Sequence, residues 1–506
     1  MIKRSSSCLD RHLLIYSFLV AFGFLAVCSK SSFLYPMNDW VDVNCFFTMG
    51  RSIWDGLVPY RDLYEQKGPV LYFLYAFAAL ISSDGFFGVF LLEVITFGLF
   101  LYFSGRIAQL CLDGSKLSYL IVAVLAAVIP VSPAFAHGSS CEETCLFFLA
   151  YGLYSVTLAM NEKRPLTFWE AFINGVFAAA VLYIKFTMMG FYAALALFVL
   201  FWYCTRPSHL KSLLITIGGF LLGIIALSLP VFFYFALNGA VDDFLTVYFY
   251  NNLFLYPAEF EGTRRDMVVA SLKKTIELNN SYTWLFRWGA LYLIFDFKRW
   301  RSAVLVALTY LGLAIGTYWG GRGYTYYGLI LCIFAVYGLI GFARLLLLIP
   351  AKKILTKLPQ NIRIANYVAL ALSVLLLFNY SCKNARNTYL LAYSKDEMPA
   401  YRFAATIRQT PNARILNYGF LDAGFYMAAD VTPNCRYFCT LNLNTAEMWA
   451  EQKKVIESGE VDFIITRYYT LDRYSPDTSK YVCIDQVTMP FEGVNFTYYL
   501  YQKTPG

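Results

Sequence analysis

Long apolar runs alternate with short polar gaps over most of this chain. Runs of spanning length fall near residues 12–34, 86–107, 117–134, 143–160, 168–184, 186–204, 212–237, 283–297, 302–319, 324–349 and 364–380. A helix rises 1.5 Å per residue, so ~20 apolar residues cross a ~30 Å hydrocarbon core. The pattern predicts about eleven transmembrane helices. One run, "PVLYFLYAFAALI" (Pro69–Ile81), is shorter. Its length reaches only roughly 20 Å, which predicts a re-entrant or interfacial helix on the outer side.

Two stretches show other periods. Between 40 and 57, Val43, Phe47, Gly50, Trp54 and Leu57 recur at helical spacing, and Phe46, Met49 and Ile53 widen the stripe. This predicts an amphipathic helix at the membrane surface, apolar side down. Beyond residue 380, "ARILNYG", "VDFIITR" and "YVCIDQV" read as strands, and "AEMWAEQKKVIESG" reads as an amphipathic helix ending in glycine. The expected organisation is a membrane module over 1–380 and a small α/β domain over 381–506.

Composition fits this reading. The chain has 506 residues, is 58% hydrophobic and 15% charged, and contains 45 Phe and 40 Tyr. A soluble domain averages about a quarter charged. The class implied is a polytopic α-helical membrane protein, and the net charge of +8 gives no reason to expect nucleic acid. Basic residues collect in "GRIAQLCLDGSK", "NEKRP", "RPSHLK", "FKRWR" and "AKKILTKLPQNIR". The positive-inside tendency makes these gaps cytoplasmic and places the others, with the C-terminal domain, outside the cytoplasmic membrane. The first run is too long for a signal-peptide core and reads as a retained helix with a cytoplasmic N-terminus. Of the 12 cysteines, several lie inside apolar runs. Cys435 and Cys439 do not, and a disulfide between them is one reading of their spacing.

The stretch "NDWVDVNCFFTMGRSIWDGLVPYRDLYEQKGP" carries five acids and three bases directly after the first span. Asp39 and Asp42 stand together at the start of its helix, where acids can act as simple caps. Lys67 precedes the Gly68-Pro69 helix start, an unfavourable place for a cation unless Glu65 or a bound phosphate supplies an anion there. In "YWGGRGYTYYG", Arg322 sits among three glycines, followed by Tyr326 and Tyr327. Glycines let backbone approach a ligand, and a guanidinium fork suits phosphate; a snorkelling anchor in an aromatic belt is the alternative. Lys185 lies between two spans and needs a partner, either a ligand or Glu142 or Glu143. Those glutamates, in "AHGSSCEETCLFF", read as helix caps, or with His137 as ligands to a divalent metal. Acids and bases gathered on one membrane face suit a lipid-phosphate substrate. A carboxylate would deprotonate an acceptor hydroxyl while cations stabilise the departing phosphate.

These landmarks resemble the GT-C superfamily of integral-membrane glycosyltransferases. The likeness is greatest to bacterial members akin to protein O-mannosyltransferases and lipid A aminoarabinose transferases. It rests on an acid after span one followed by "GRSIWDGLVPYRDLYEQKGPVLYFL", on "CEET" in the second outer loop, and on Lys185 between the fifth and sixth spans. It covers roughly residues 12–330. The resemblance implies a GT-C fold, a polyprenyl-phosphate sugar donor, attack by an acceptor hydroxyl with inversion, and envelope glycan or glycolipid synthesis. It implies Asp42 as catalytic base, with Asp39 second, and Glu143 or Glu142 as the second-loop acid. Lys67, Lys185 and Arg322 would hold donor phosphate, and Glu65 would accompany Lys67. Here Gln66 and Gly68 are inserted relative to the family's acid-Lys-Pro run, and Tyr326 or Tyr327 stands where many relatives have histidine. The long segment from 241 to 266, with Arg264 and Arg265, would be a loop covering the donor. The acceptor could be a glycan, lipid or protein.

Two other readings compete. A lipid-linked glycan flippase or transporter would place ionisable groups near the bilayer midplane in interrupted helices, and no matched pair of these is evident. A receptor or assembly scaffold would leave the Asp42, Lys67 and Lys185 arrangement without a purpose.

Overall fold

The computed structural model describes residues 10–206, 211–257, 262–279, 282–285, 287–289, 300–348, 362–443, 445–474, 477–491 and 493–504. In chain order its first helices are α1 (Arg11–Cys28), α2 (Val41–Trp54), α3 (Pro69–Ile81), α4 (Phe87–Cys111), α5 (Leu117–Val128), α6 (Cys141–Asn161), α7 (Phe168–Lys185) and α8 (Gly190–Cys204). Helices Leu213–Leu237, Arg264–Leu278, Trp300–Tyr318, Ala335–Leu348 and Ile362–Asn384 follow. Among the described residues, seven helices are long and apolar enough to cross a membrane, with α7 and α8 counted as one 37-residue stretch. The protein is a multi-pass membrane protein of mostly helical fold. The expected span at 283–297 and the basic segment at 351–363 fall largely outside the described residues.

Contacts divide the chain into two compact units. The first comprises Met1–Ser29, Glu93–Leu229 and Ala258–Asn387, and the second Lys30–Leu92, Pro230–Pro257 and Thr388–Gly506.

In the first unit, small residues let helices touch. A Cβ built on Gly190 of α8 would lie 2.1 Å from the carbonyl oxygen of Gly312 in the Trp300–Tyr318 helix. Such backbone contact is how apolar helices gain packing energy where lipid offers no hydrophobic drive. α7 begins with a capping box, Thr167 with Glu170, and ends at Lys185, where a 3-10 turn (Phe186–Met189) leads into α8.

In the second unit, the C-terminal segment forms a four-stranded sheet. The strands are β1 (Ile415–Tyr418), β2 (Phe463–Arg467), β3 (Tyr481–Phe491) and β4 (Val494–Lys503), in the order β1-β2-β4-β3. β1 and β2 are parallel. Their crossover carries helix Ala446–Ser458, capped by Thr445 at one end and by Gly459 at φ +74° at the other. A parallel pair requires such a crossover, whereas β3 and β4 form a hairpin. The three strands and the helix fall where the alternation placed them. β4 lies outside the expected strands, although Val494, Phe496, Tyr498 and Leu500 alternate along "VNFTYYLYQK".

Two local expectations change. α2 is not a surface helix with a free polar face, since residues 42–50 are all buried. One side packs on α3, where Phe46 meets Tyr75 edge-on at 5.6 Å and the Trp54 indole donates to Ala76 O at 2.8 Å. The other side carries Thr48, whose hydroxyl donates to Asp422 at 2.7 Å. The segment expected as a long loop over 241–266 is largely helical instead. Val241–Phe244 runs into a π-helix over Leu245–Leu255, and Arg264 and Arg265 open the Arg264–Leu278 helix behind a Thr263–Asp266 capping box.

Candidate functional site

The candidate residues fall into separate groups within each of the two units. In the first unit, Lys185 ends α7 and donates to Glu142 at 2.5 Å. Their side chains are 9% and 0% exposed. A lysine at a helix C-terminus is favoured by the dipole, and the carboxylate offsets part of the cost of burying its charge. The ammonium also stands 3.2 Å from the centroid of the Tyr327 ring and 5.7 Å from that of Tyr326, two cation–π contacts. Tyr324, Tyr326 and Tyr327 pack on each other with centroids 5.0–5.6 Å apart. The His137 ring meets Tyr326 edge-on at 6.2 Å. So His137, Glu142, Lys185, Tyr326 and Tyr327 belong to one cluster, with Glu142 as the partner of Lys185. Arg322 is half-buried in the loop that precedes these tyrosines, between Gly321 at φ +77° and Gly323.

Glu143 points elsewhere. Ser140 caps α6 by accepting from Glu143 N, while the Glu143 carboxylate accepts from Ser139 N at 2.6 Å. The same Ser139 N–H donates to Glu93 at 2.8 Å, and the Ser29 hydroxyl donates to the other Glu93 oxygen at 2.5 Å. Two buried carboxyl groups thus converge on one amide. The backbone reaches them through Gly138, at φ +69°, where a Cβ would lie 2.7 Å from Glu93 Oε1. Glu93 was not among the expected site residues. Its one signal in the sequence is an acid alone in an apolar run, which is expensive unless it has a partner or a purpose.

In the second unit, Glu65 is buried and accepts from Lys67 N at 2.7 Å and from the Tyr72 hydroxyl. The Lys67 ammonium lies 3.9 Å from Glu65 and 5.5 Å from the Phe46 ring centroid. Of the two anions considered for Lys67, Glu65 is therefore present, at the outer limit of an ion pair. The loop bearing Lys67 is pinned by the 241–255 helix. Asn251 donates to Tyr64 Oη at 2.9 Å and Asn252 to Gln66 O at 2.7 Å. Tyr60, held at φ +72° and fully buried, donates to Lys67 O at 2.6 Å.

Asp39 and Asp42 are separated by their surroundings. Asp39 accepts from Lys30 at 2.7 Å and from the Tyr389 hydroxyl at 2.5 Å, and Lys30 also donates to Tyr389 at 3.0 Å. Neither aspartate is the helix cap, because the N-cap position is Trp40, whose N–H donates to Asn38 at 3.0 Å. Asp42 lies in the first turn of α2 and is 8% exposed. Among the described residues, no group of three His, Cys, Asp or Glu side chains could hold a metal ion, including His137, Glu142 and Glu143.

No family model matches the sequence, and no curated protein is significantly similar to it. Solved structures do share the fold. ArnT from Cupriavidus metallidurans bound to undecaprenyl phosphate superposes with a TM-score of 0.60 at 11% identity, over 97% of each chain. The same ArnT in the apo state gives 0.55 at 12% identity, again over 97% of each chain. At this identity the likeness concerns the fold, and that fold agrees with the GT-C architecture expected from the sequence.

Proposed function

We propose that this protein is a membrane glycosyltransferase. It moves a sugar from a polyprenyl-phosphate donor to an acceptor hydroxyl on the outer face of the cytoplasmic membrane. The observation that carries this reading is the whole-chain likeness to ArnT, a protein solved with undecaprenyl phosphate bound. The residues of this chain supply chemistry that suits it. Lys185, in its cup of tyrosines, is a desolvated cation of the kind that holds a phosphate in a site poor in water. Lys67 and Arg322 are the other proposed phosphate contacts.

Asp42 is the proposed base, because Asp39 already neutralises Lys30. The base takes the acceptor's proton as its oxygen attacks the anomeric carbon, the bond to phosphate breaks on the opposite face, and the configuration inverts. Glu143, bound to Ser139 N, is a positioning acid in this scheme, and residues 381–506 make up the extracytoplasmic domain. The test uses full-length protein in detergent with an undecaprenyl-phosphate sugar and an envelope lipid extract. Wild type and Asp39→Asn form a new glycosidic bond and Asp42→Asn does not. Full activity in Asp42→Asn would sink the assignment of the base.

A further inference from the structure

Two thiols far apart in the sequence meet inside the second unit. Cys45 of α2 and Cys439 of the C-terminal segment place their sulfurs 3.8 Å apart. Both are buried, at 1% exposure each. Burial pushes both thiols above the ordinary cysteine range, so in the folded protein they stay protonated and unreactive. The pairing considered from the sequence, Cys435 with Cys439, is not the one the fold makes. Cys435 instead points at Glu451, 3.6 Å away.

The contact is held by neighbours on both sides. Thr48, one turn from Cys45, donates to Asp422 at 2.7 Å, and Arg51 pairs with Asp430 at 2.6 Å. Thr432 donates to Asp55 at 2.7 Å. These polar links fix α2 against the segment that bears Cys439. A disulfide has its sulfurs about 2.05 Å apart, so closure asks for a movement of less than 2 Å, of the size that side-chain rotation supplies.

We propose that Cys45 and Cys439 form a disulfide when the chain folds in an oxidising compartment, strapping the helix of Asp42 to the C-terminal domain. This rests on the outer-face placement proposed above, which exposes the folding chain to a disulfide-bearing thiol oxidase. One cysteine thiolate attacks the oxidase disulfide and forms a mixed disulfide. The second thiolate displaces the oxidase sulfur, so that two cysteine thiols are oxidised and the oxidase disulfide leaves as two thiols. Because the folded pair is shielded, the bond is made during folding and then resists reduction.

Full-length protein is taken from membranes without reductant, alkylated in denaturant, and mapped by mass spectrometry. The expected result is a Cys45–Cys439 linked peptide, two hydrogens lighter than the sum of its parts and split by reductant. In Cys435→Ser the link persists; in Cys439→Ala, Cys45 takes up the alkyl label. Alkyl label on both Cys45 and Cys439 of the wild-type protein overturns the proposal. A separate arm treats right-side-out vesicles with a membrane-impermeant maleimide, which reaches the exposed Cys483 only if the C-terminal domain lies outside. Failure of that labelling counts against the outer-face reading alone, and two free thiols beside a labelled Cys483 count against the disulfide alone.

Discussion

Lys30 donates to Asp39 across 2.7 Å, and the Tyr389 hydroxyl closes on the other carboxylate oxygen. This relationship divides the two acids that open the outer stretch. Asp39 is committed to a lysine that is 2% exposed. Asparagine at 39 leaves that ammonium without its counter-charge, a loss on the order of 3 kcal/mol for a broken buried pair. Asp39→Asn is expected to lower Tm clearly while the surviving folded protein still transfers sugar. Asp42→Asn is expected to cut kcat by about 10²–10⁴-fold in the folded protein, as for a lost general base. Paired melting curves and turnover assays check both.

Lys185 and Glu142 give a second test. Removing either partner strands a charge, so Glu142→Gln and Lys185→Met are both expected to destabilise. The double variant should recover part of the stability, since replacing a buried pair with uncharged groups costs less than breaking it. Activity should not recover with it, because the cation proposed to hold phosphate is gone. Recovery of activity in the double variant would show that Lys185 is structural.

Glu93 was the least expected member of the site. Glu93→Gln keeps the size of the side chain and an oxygen to accept from Ser139 N or the Ser29 hydroxyl, and should leave Tm nearly unchanged. Glu93→Ala takes the acceptor from the buried Ser29 hydroxyl, at about 1–3 kcal/mol for a group left unpaired, while Ser139 N keeps Glu143. Thermal melts of the two variants in one detergent distinguish these outcomes.

How much of this was legible beforehand follows from the signal each feature leaves. α3 was read to the residue because Gly68-Pro69 starts it and its apolar run ends it. Lys185 was found because a lysine between two spans needs a reason, and Glu142 was one of two partners foreseen. The joining of Asp39 to Tyr389, of Thr48 to Asp422 and of Cys45 to Cys439 spans 350 residues or more in each case. Local periodicity holds no trace of such pairings. Helix 241–255 reads as a loop in the sequence because its asparagines and aromatic residues blur the apolar stripe, and in the fold those asparagines hold the Lys67 loop.

Asp422 supplies a pH dependence. Burial raises its carboxyl above the ordinary aspartate range, against hydrogen bonds from Thr48, Gly424 and Asn417 that pull it down. A raised folded value means that the unfolded chain loses this proton first as pH climbs above about 4. The group's contribution is therefore fully present at acid pH and declines as pH rises through the folded value. Asp422→Asn cannot titrate, so the Tm advantage of wild type over this variant should shrink as pH rises from acid toward neutral. An advantage that grows with pH would contradict the assignment.

The most direct measurement of the central claim compares envelope lipids and glycans from cells with the gene intact, deleted, and restored as wild type or Asp42→Asn. Sugar transfer from a polyprenyl-phosphate donor predicts that deletion accumulates one lipid-linked sugar and removes that sugar from one envelope product. Wild type should reverse both changes and Asp42→Asn neither. Identical profiles in all four strains would contradict the account, as would a lipid-linked sugar that only changes leaflet with no glycosidic bond lost.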